Sequence, residues 1–287
     1  MYPEIFSIGS ITVHSYGLMI ALGILVIAAA LYREAPRESI DPDHILEAII
    51  IAAFSGLIGA RILYMLINWS YYSTQPASAF FTRFEGLSFF GGLFCATILV
   101  YLWSRWRGIG FLKLADLLAP YLALGYAFGR VGCFLNGCCY GLVTDLPWAL
   151  PAGLADDLPR HPVQLYAAFG AILMFIVLKK LRHLRPFVGF VTVSLFGLYG
   201  LLRFTTEFFR QEEAAWLGLT AAQLFSLGLI LASLIFIAVV FSILPEKSNL
   251  RSRARDTDPD PEDEDSGAES EKTRRSKKRA GKKRVKK

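Results

Sequence analysis

The sequence predicts an all-α polytopic membrane protein: seven transmembrane helices with the N-terminus outside and the C-terminus cytoplasmic, followed by a disordered charged tail. Three observations predict it. Of 287 residues, 54% are hydrophobic and only 19% are charged, a composition that excludes an ordinary soluble domain. The charges are segregated, since residues 245–287 hold 15 of the 30 Lys and Arg and 10 of the 24 Asp and Glu. Within the remaining near-neutral body, apolar runs reach the length of about 20 residues that lets a helix cross a bilayer core. Nothing shows the alternation over segments of about ten residues that a membrane barrel would need.

The first span is Tyr16 to Tyr32, inside a stretch free of Asp, Glu, Lys and Arg between Glu4 and Arg33. The chain opens Met-Tyr-Pro-Glu and its first positive charge follows the apolar run, the reverse of a cleaved signal peptide, so the span is expected to be retained. Further charge-free runs are Gly86 to Ser104, Gln164 to Leu178, Pro186 to Leu202 and Ala214 to Pro245. Two more spans are interrupted: Ile45 to Trp69 contains Glu47 and Arg61, and Leu112 to Phe134 contains Lys113, Asp116 and Arg130. Seven helices in residues 1–244 result, because unpaired backbone is not tolerated in lipid. Residues 245–287, an acidic block and then a basic block, cannot bury enough apolar area to fold and are expected to be a solvated tail.

Orientation follows from Lys and Arg in alternate loops. Arg33, Arg37, Arg105, Arg107, Lys113, Lys179, Lys180, Arg182 and Arg185 fall on one side together with the tail, whereas Arg83, Arg160, Arg203 and Arg210 fall on the other. The first side is therefore cytoplasmic. Against this frame the ionisable and unusual polar residues within the spans converge on the outer leaflet. Tyr16, Arg61, Arg130, Asn136, Arg160, His161, Arg203, Glu207 and Arg210 all fall toward that face, where the apolar Phe90 also lies. An ionisable group inside a span costs about 2.5 kcal/mol or more near a helix centre, which makes each a candidate for function.

Tyr199, Arg203, Glu207 and Arg210 recur at intervals of four, four and three, the spacing of one helical face. Arg130 and Arg203 on different helices at headgroup depth suit a phosphate, which a planar guanidinium grips through two oxygens. A phospholipid headgroup is the phosphate most available there. Glycines in Gly86–Gly92 and Gly125–Gly141 let a helix or a ligand approach the backbone closely. Of the four cysteines, Cys138 and Cys139 are adjacent rather than separated by two residues, and no histidine lies at a zinc-like interval from Cys133. The spacing therefore predicts no metal site.

These motifs are specific enough to be compared as a set. His14-Ser-Tyr-Gly-Leu-Met19, Gly59-Ala-Arg-Ile-Leu-Tyr64, Leu87-Ser-Phe-Phe-Gly-Gly92, Gly129-Arg-Val-Gly-Cys-Phe-Leu-Asn-Gly-Cys-Cys-Tyr-Gly141, Arg160-His-Pro-Val-Gln-Leu-Tyr166 and Tyr199-Gly-Leu-Leu-Arg-Phe-Thr-Thr-Glu-Phe-Phe-Arg-Gln211 together resemble prolipoprotein diacylglyceryl transferases of the bacterial inner membrane. Only the chain beyond about residue 245 lies outside the resemblance. The resemblance implies that phosphatidylglycerol donates its diacylglyceryl group to the thiol of the lipobox cysteine in a prolipoprotein, leaving glycerol phosphate. The implied partners are that lipid, lipobox peptides and the membrane. No cofactor and no nucleic acid enter the reaction.

The same resemblance implies that Arg130 and Arg203 hold the phosphate, that Glu207 orients Arg203, and that Tyr16, Asn136 and Gly141 fall on positions of binding or catalytic importance. Arg61, Tyr199, Arg210 and Phe90 complete the expected lipid- and peptide-binding set, and His161 is an expected catalytic group. Two residues depart from the family pattern. Cys133 stands where some members carry Asn, and Phe90 stands where many carry a histidine assigned to thiol deprotonation. Phenylalanine takes no proton, so either His161, His14 or Glu207 serves, or the arginine field lowers the substrate thiol's pKa directly. The rival classes are an anion or lipid transporter and a non-catalytic membrane scaffold. No inverted repeat and no polar path across the membrane favour the former, and the latter leaves the outer arginines without a role.

Overall fold

The structure, a computed structural model, describes residues 3–8, 11–74, 86–151, 158–210 and 212–243. Arg83 and the tail expected from residue 245 lie outside the described residues. The chain divides into two units, Met1–Ile237 and Ala238–Lys287, and the architecture below belongs to the first apart from the final turns of the last helix.

A short hairpin, β1 (Glu4–Ile8) with β2 (Ile11–His14), leads directly into α1 (Ser15–Glu34). Buried Ser15 ties the junction by donating its backbone N–H to the Pro3 carbonyl at 2.9 Å. A single turn of 3₁₀ helix, Ala35–Glu38, precedes α2 (Pro42–Ile67), whose N-terminus is capped by the Asp41 carboxylate accepting from the Asp43 N–H at 2.9 Å, a favoured cap chemistry. Then come α3 (Trp69–Thr74), α4 (Phe89–Trp106) and α5 (Phe111–Asn136). The two-residue strands β3 (Leu150–Pro151) and β4 (Pro159–Arg160) precede α6 (Val163–Leu184), α7 (Phe190–Glu207) and α8 (Ala221–Ile243).

Six of these helices, α1, α2, α4, α5, α6 and α8, are long and apolar enough to cross a membrane. The run Pro186 to Leu202, expected as a span, forms helix α7, which is not among the six; Arg203, Thr205, Thr206 and Glu207 at its end dilute its apolar character. The last span also starts later than the charge-free run from Ala214 predicts. Leu217 and Gly218 both take positive φ, 50° and 73°, and close a tight turn in which the Leu219 N–H donates to the Trp216 carbonyl at 2.9 Å. Local turn geometry thus stops the helix, which hydropathy does not register.

Helix α5 is the hub and the most deeply buried of the long apolar helices, whereas α1 and α8 bury little of their surface. Its glycine edge faces α1: side chains of Tyr16, Ile20 and Ile27 lie against Gly132, Gly129 and Gly125. On its other faces it packs α6 and α7, where Ala119 and Ala123 meet Met174, Leu178, Val191 and Leu195. Leu25, Phe54, Phe94, Ile98, Phe169 and Ile235 are exposed, as an apolar belt facing lipid requires.

Helices α2 and α4 touch through glycine. A Cβ added at Gly91 would collide with the Gly59 carbonyl oxygen and lie 2.5 Å from the Leu63 Cβ, while one at Gly92 would lie 3.0 Å from the Gly56 carbonyl. Gly91 and Gly92 therefore serve helix contact, the close backbone approach that small residues permit in membranes. Gly91→Ala is expected to force the pair apart at a cost of about 1–3 kcal/mol, measured as a lower melting temperature of the detergent-purified protein. An unchanged melt would show that the contact yields without strain.

Two of the charges that interrupt the spans, Glu47 and Asp116, are engaged at one end of the bundle, together with the acidic residues at and just after the end of α1. Glu47 accepts from Arg107 Nη2 at 2.6 Å and Nε at 3.0 Å and from Trp103 Nε1 at 3.1 Å. Glu34 pairs with Lys179 and, at 2.6 Å, with Arg182; Glu38 pairs with Arg182 at 3.1 Å and Arg185 at 2.8 Å. Fully buried Asp116 accepts from the Gly189 N–H at 2.6 Å and from the Thr192 N–H and Oγ1 at 2.9 and 2.8 Å. It thereby caps the first turn of α7 from a neighbouring helix, satisfying amides that are otherwise left without partners.

Candidate functional site

At the opposite end of the bundle, the C-terminal ends of α5 and α7 meet. Arg130 stacks its guanidinium 4.7 Å from the centroid of the Tyr126 ring, one turn back on α5, and Tyr126 meets Tyr199 of α7 edge to face at 5.5 Å. Arg203 lies one turn beyond Tyr199. The two arginines thus flank a tyrosine pair, and Tyr126 is within electrostatic reach of both. A guanidinium on an aromatic face is weakly hydrated and geometrically fixed, which prepares it for an anion.

Glu207, 3% exposed, holds Arg203 by an ion pair at 3.0 Å and accepts from Thr220 Oγ1 at 3.2 Å. A buried carboxylate so engaged fixes the arginine's direction, although an exposed pair in this order on a helix would contribute little. The expected four-residue stripe does not continue to Arg210. Helix α7 ends at Glu207, and the following turn tightens, with the Phe209 N–H donating to the Thr206 carbonyl at 3.3 Å and the Arg210 N–H to Glu207 at 3.0 Å. Arg210 instead bridges to Gly141 in an isolated β pair, and its guanidinium meets Glu212 at 2.8 Å.

Gly141 is the knot of this end. Its N–H donates to the His161 carbonyl at 3.1 Å, its carbonyl accepts from Arg160 Nη1 at 3.2 Å, and the next N–H, of Leu142, donates to the Phe209 carbonyl at 2.9 Å. A Cβ there would stand 2.5 Å from the Phe209 carbonyl oxygen, 2.6 Å from Val163 Cγ2 and 2.8 Å from His161 Cβ. Only glycine lets the segments bearing His161 and Arg210 close around it. His161 lies 3.3 Å, through Nδ1, from the Tyr166 hydroxyl, which also accepts from Trp148 Nε1 at 2.7 Å; the His161 ring packs 5.1 Å from that of Phe209.

The link from α5 to Gly141 is a tight C-terminal turn. Gly137 takes φ 72°, and the Cys138 N–H donates to the Cys133 carbonyl at 3.1 Å, the bonding of a Schellman motif. Gln164 of α6, 2% exposed, donates Nε2 to the Cys138 carbonyl at 2.7 Å. Half-buried Asn136 ends the helix. Tyr16 reaches over Gly132, its ring carbon 3.1 Å from where a Cβ would be, and faces Arg130 and the three cysteines of the turn. Hydrogen bonding from Cys133 and Cys138, followed by the nearby Arg130 and Arg210, draws the Cys139 thiol below its ordinary pKa.

Two expected residues sit in different company. Arg61 Nη1 donates to the Gly86 carbonyl at 3.3 Å and its guanidinium stacks on Tyr72 at 5.7 Å, so it braces the corner of α2, α3 and α4. Phe90 is exposed at the start of α4 and meets only Phe89 among the described ring contacts. Residues that the sequence did not single out are Tyr126, Gln164, Tyr166 and Trp148. Tyr126 was accessible to spacing, being four residues before Arg130. The contacts of Gln164, Tyr166 and Trp148 bridge separate segments and leave no local periodicity.

Comparison with known proteins finds relatives over most of the chain. The sequence profile described as prolipoprotein diacylglyceryl transferase matches residues 3–239. The chain is 34% identical over 231 residues to the phosphatidylglycerol–prolipoprotein diacylglyceryl transferase of Finegoldia magna, covering 80% of this chain and 92% of the relative. Over 251 residues it is 35% identical to the Methylococcus capsulatus protein of that name, covering 84% and 95%. The Geobacter sulfurreducens protein is 37% identical over 240 residues, covering 82% and 91%. With the match running through all the helices that carry the site, this chain belongs to the prolipoprotein diacylglyceryl transferase family.

Proposed function

We propose that this chain transfers the diacylglyceryl group of phosphatidylglycerol to the thiol of the lipobox cysteine in prolipoproteins, at the outer leaflet of the bacterial inner membrane. The observation that carries the reading is the arginine pair, Arg130 on the Tyr126 face and Arg203 on the Glu207 carboxylate. In the transfer a new S–C bond forms at the glyceryl carbon, the C–O bond to phosphate breaks, and glycerol phosphate leaves with the bonding electrons. Negative charge grows on that phosphate as the bond opens, and two fixed guanidinium groups stabilise it there. Tyr16, Asn136, Tyr199 and Arg210 border the same end and are assigned to lipid and peptide binding, with Arg61 and Phe90 at the neighbouring corner.

The orientation in this reading rests on the two polar ends of the bundle. The loops with the most Lys and Arg, joined through Glu34, Glu38 and Glu47, form the cytoplasmic end. Helix α7 is assigned as a further span, the sixth of seven in chain order, which puts the N-terminus and the arginine site outside and residues 245–287 in the cytoplasm as a solvated tail. The assay is direct: purified protein, phosphatidylglycerol and a lipobox peptide are incubated, and the peptide is weighed for the diacylglyceryl gain while glycerol phosphate is measured. Absence of product where the Geobacter relative turns over would sink the reading.

His161 is assigned a positioning role, with the thiol losing its proton in the cationic field at this end. His161→Ala is expected to retain a measurable share of activity in the transfer assay. Complete loss would make His161 the base instead.

A further inference from the structure

The turn after α5 gathers three of the four cysteines in a way that sequence spacing conceals. The sulfurs of Cys133, Cys138 and Cys139 all lie within 4.8 Å of one another, and all three residues are free thiols. Two backbone features hold them so. The Schellman turn at Gly137 folds Cys138 back over Cys133, and Cys139 adopts φ 62°, a left-handed conformation that costs a non-glycine residue roughly 1–2 kcal/mol and persists only where surrounding contacts impose it. Gln164 fixes the turn from α6 through the Cys138 carbonyl.

We infer that Cys133, Cys138 and Cys139 form a three-thiolate site for a thiophilic d¹⁰ cation of the zinc(II) class, whose open fourth position takes the thiol of the peptide substrate. A zinc–sulfur bond of about 2.3 Å sets tetrahedral sulfurs about 3.8 Å apart, close to the separations of at most 4.8 Å found here. Three thiolates on a divalent ion leave one negative charge, which Arg130 and Arg210 face. Cys139 is exposed, so the site opens to solvent on one side. Three protein ligands with a vacant fourth position is the arrangement of zinc sites that act on a bound group and not of those that only brace a fold.

The consequence concerns the proton that Phe90 cannot accept. A thiol that binds such an ion is deprotonated outright: its S–H bond breaks, the proton passes to solvent, and the sulfur lone pair attacks the glyceryl carbon as the C–O bond to phosphate breaks. The neutral thioether then leaves the ion. This consequence rests on the transferase reading, whereas ion binding does not.

The test uses the full chain in detergent under reductant, with cobalt(II) as a spectroscopic probe for zinc(II). One equivalent is expected to give a sulfur-to-cobalt charge-transfer band, displaced by zinc(II), retained in Cys95→Ser and lost in Cys133→Ser, Cys138→Ser and Cys139→Ser at unchanged helical content. Adding a lipobox peptide is expected to shift the band, and the same peptide with serine for its cysteine to leave it unmoved. No band, or a band that survives all three substitutions, overturns the site. Titration finding two thiols joined as a disulfide until reduced overturns it too. A band indifferent to the cysteine peptide leaves an ion site but overturns its part in thiol activation. None of these readings requires turnover, so they stand apart from the transfer assay.

Discussion

Arg203→Ala is expected to abolish diacylglyceryl transfer, with kcat falling by about a thousandfold, the upper range for losing one preorganised group that stabilises developing charge. The change has a second effect that must be separated from the first. Glu207 is 3% exposed and its ion-pair partner is Arg203. Removing one partner of a buried pair leaves an uncompensated charge and costs about 3–5 kcal/mol of stability. The double variant Arg203→Ala with Glu207→Gln removes both charges and is expected to recover the fold, read as melting temperature, without recovering activity. Arg203→Lys keeps the charge but gives up the planar fork, so an intermediate loss is expected with the fold intact. Recovery of activity in the double variant would show that Arg203 matters only as the partner of Glu207, and the phosphate assignment would fall.

Gly141→Ala is expected to be comparably damaging by a different route. Its new methyl group would stand 2.5 Å from the Phe209 carbonyl oxygen and 2.6 Å from Val163. The first of these is backbone and has no rotamer by which to yield. The cost is about 1–3 kcal/mol from overpacking alone. Its larger effect is geometric, because the segments that carry His161 and Arg210 are hydrogen-bonded on either side of this residue. Forcing them apart shifts the end of α7, and a displacement of about 1 Å at positioned groups can cost about a hundredfold in rate. Activity is therefore expected to be lost while helical content by circular dichroism stays native. Gly228→Ala, where an added Cβ meets nothing within 4 Å, is the matched control and is expected to behave as the native protein. Equal activity in the two variants would remove Gly141 from the architecture of the site.

The sequence made the site half legible. Arg130 and Arg203 stood out because a charge in an apolar span is expensive whatever its neighbours, and Glu207 because it follows Arg203 by one helical turn. Arg210 was misplaced for the same reason that Glu207 was well placed: helical spacing continues on paper after the helix has stopped. Cys133, Cys138 and Cys139 failed every linear metal pattern, yet a single glycine with positive φ brings their sulfurs together. Gly91 and Gly92 were open to either a ligand or a helix, and the backbone of α2 at Gly56 and Gly59 fills the space.

What the amino-acid sequence determined by itself was the solvent for which the chain is built, the positions of its apolar helices and the family to which it belongs. Those properties are local, since hydropathy accumulates along a run and a motif is a spacing. Only the tertiary structure decided that Glu34 and Glu38 join Lys179, Arg182 and Arg185, that Asp116 caps α7, and that Tyr126 connects the two arginines. These contacts join residues from different helices. Their existence depends on which faces the glycine edges of α2 and α5 allow to approach, and that is a property of packing in three dimensions.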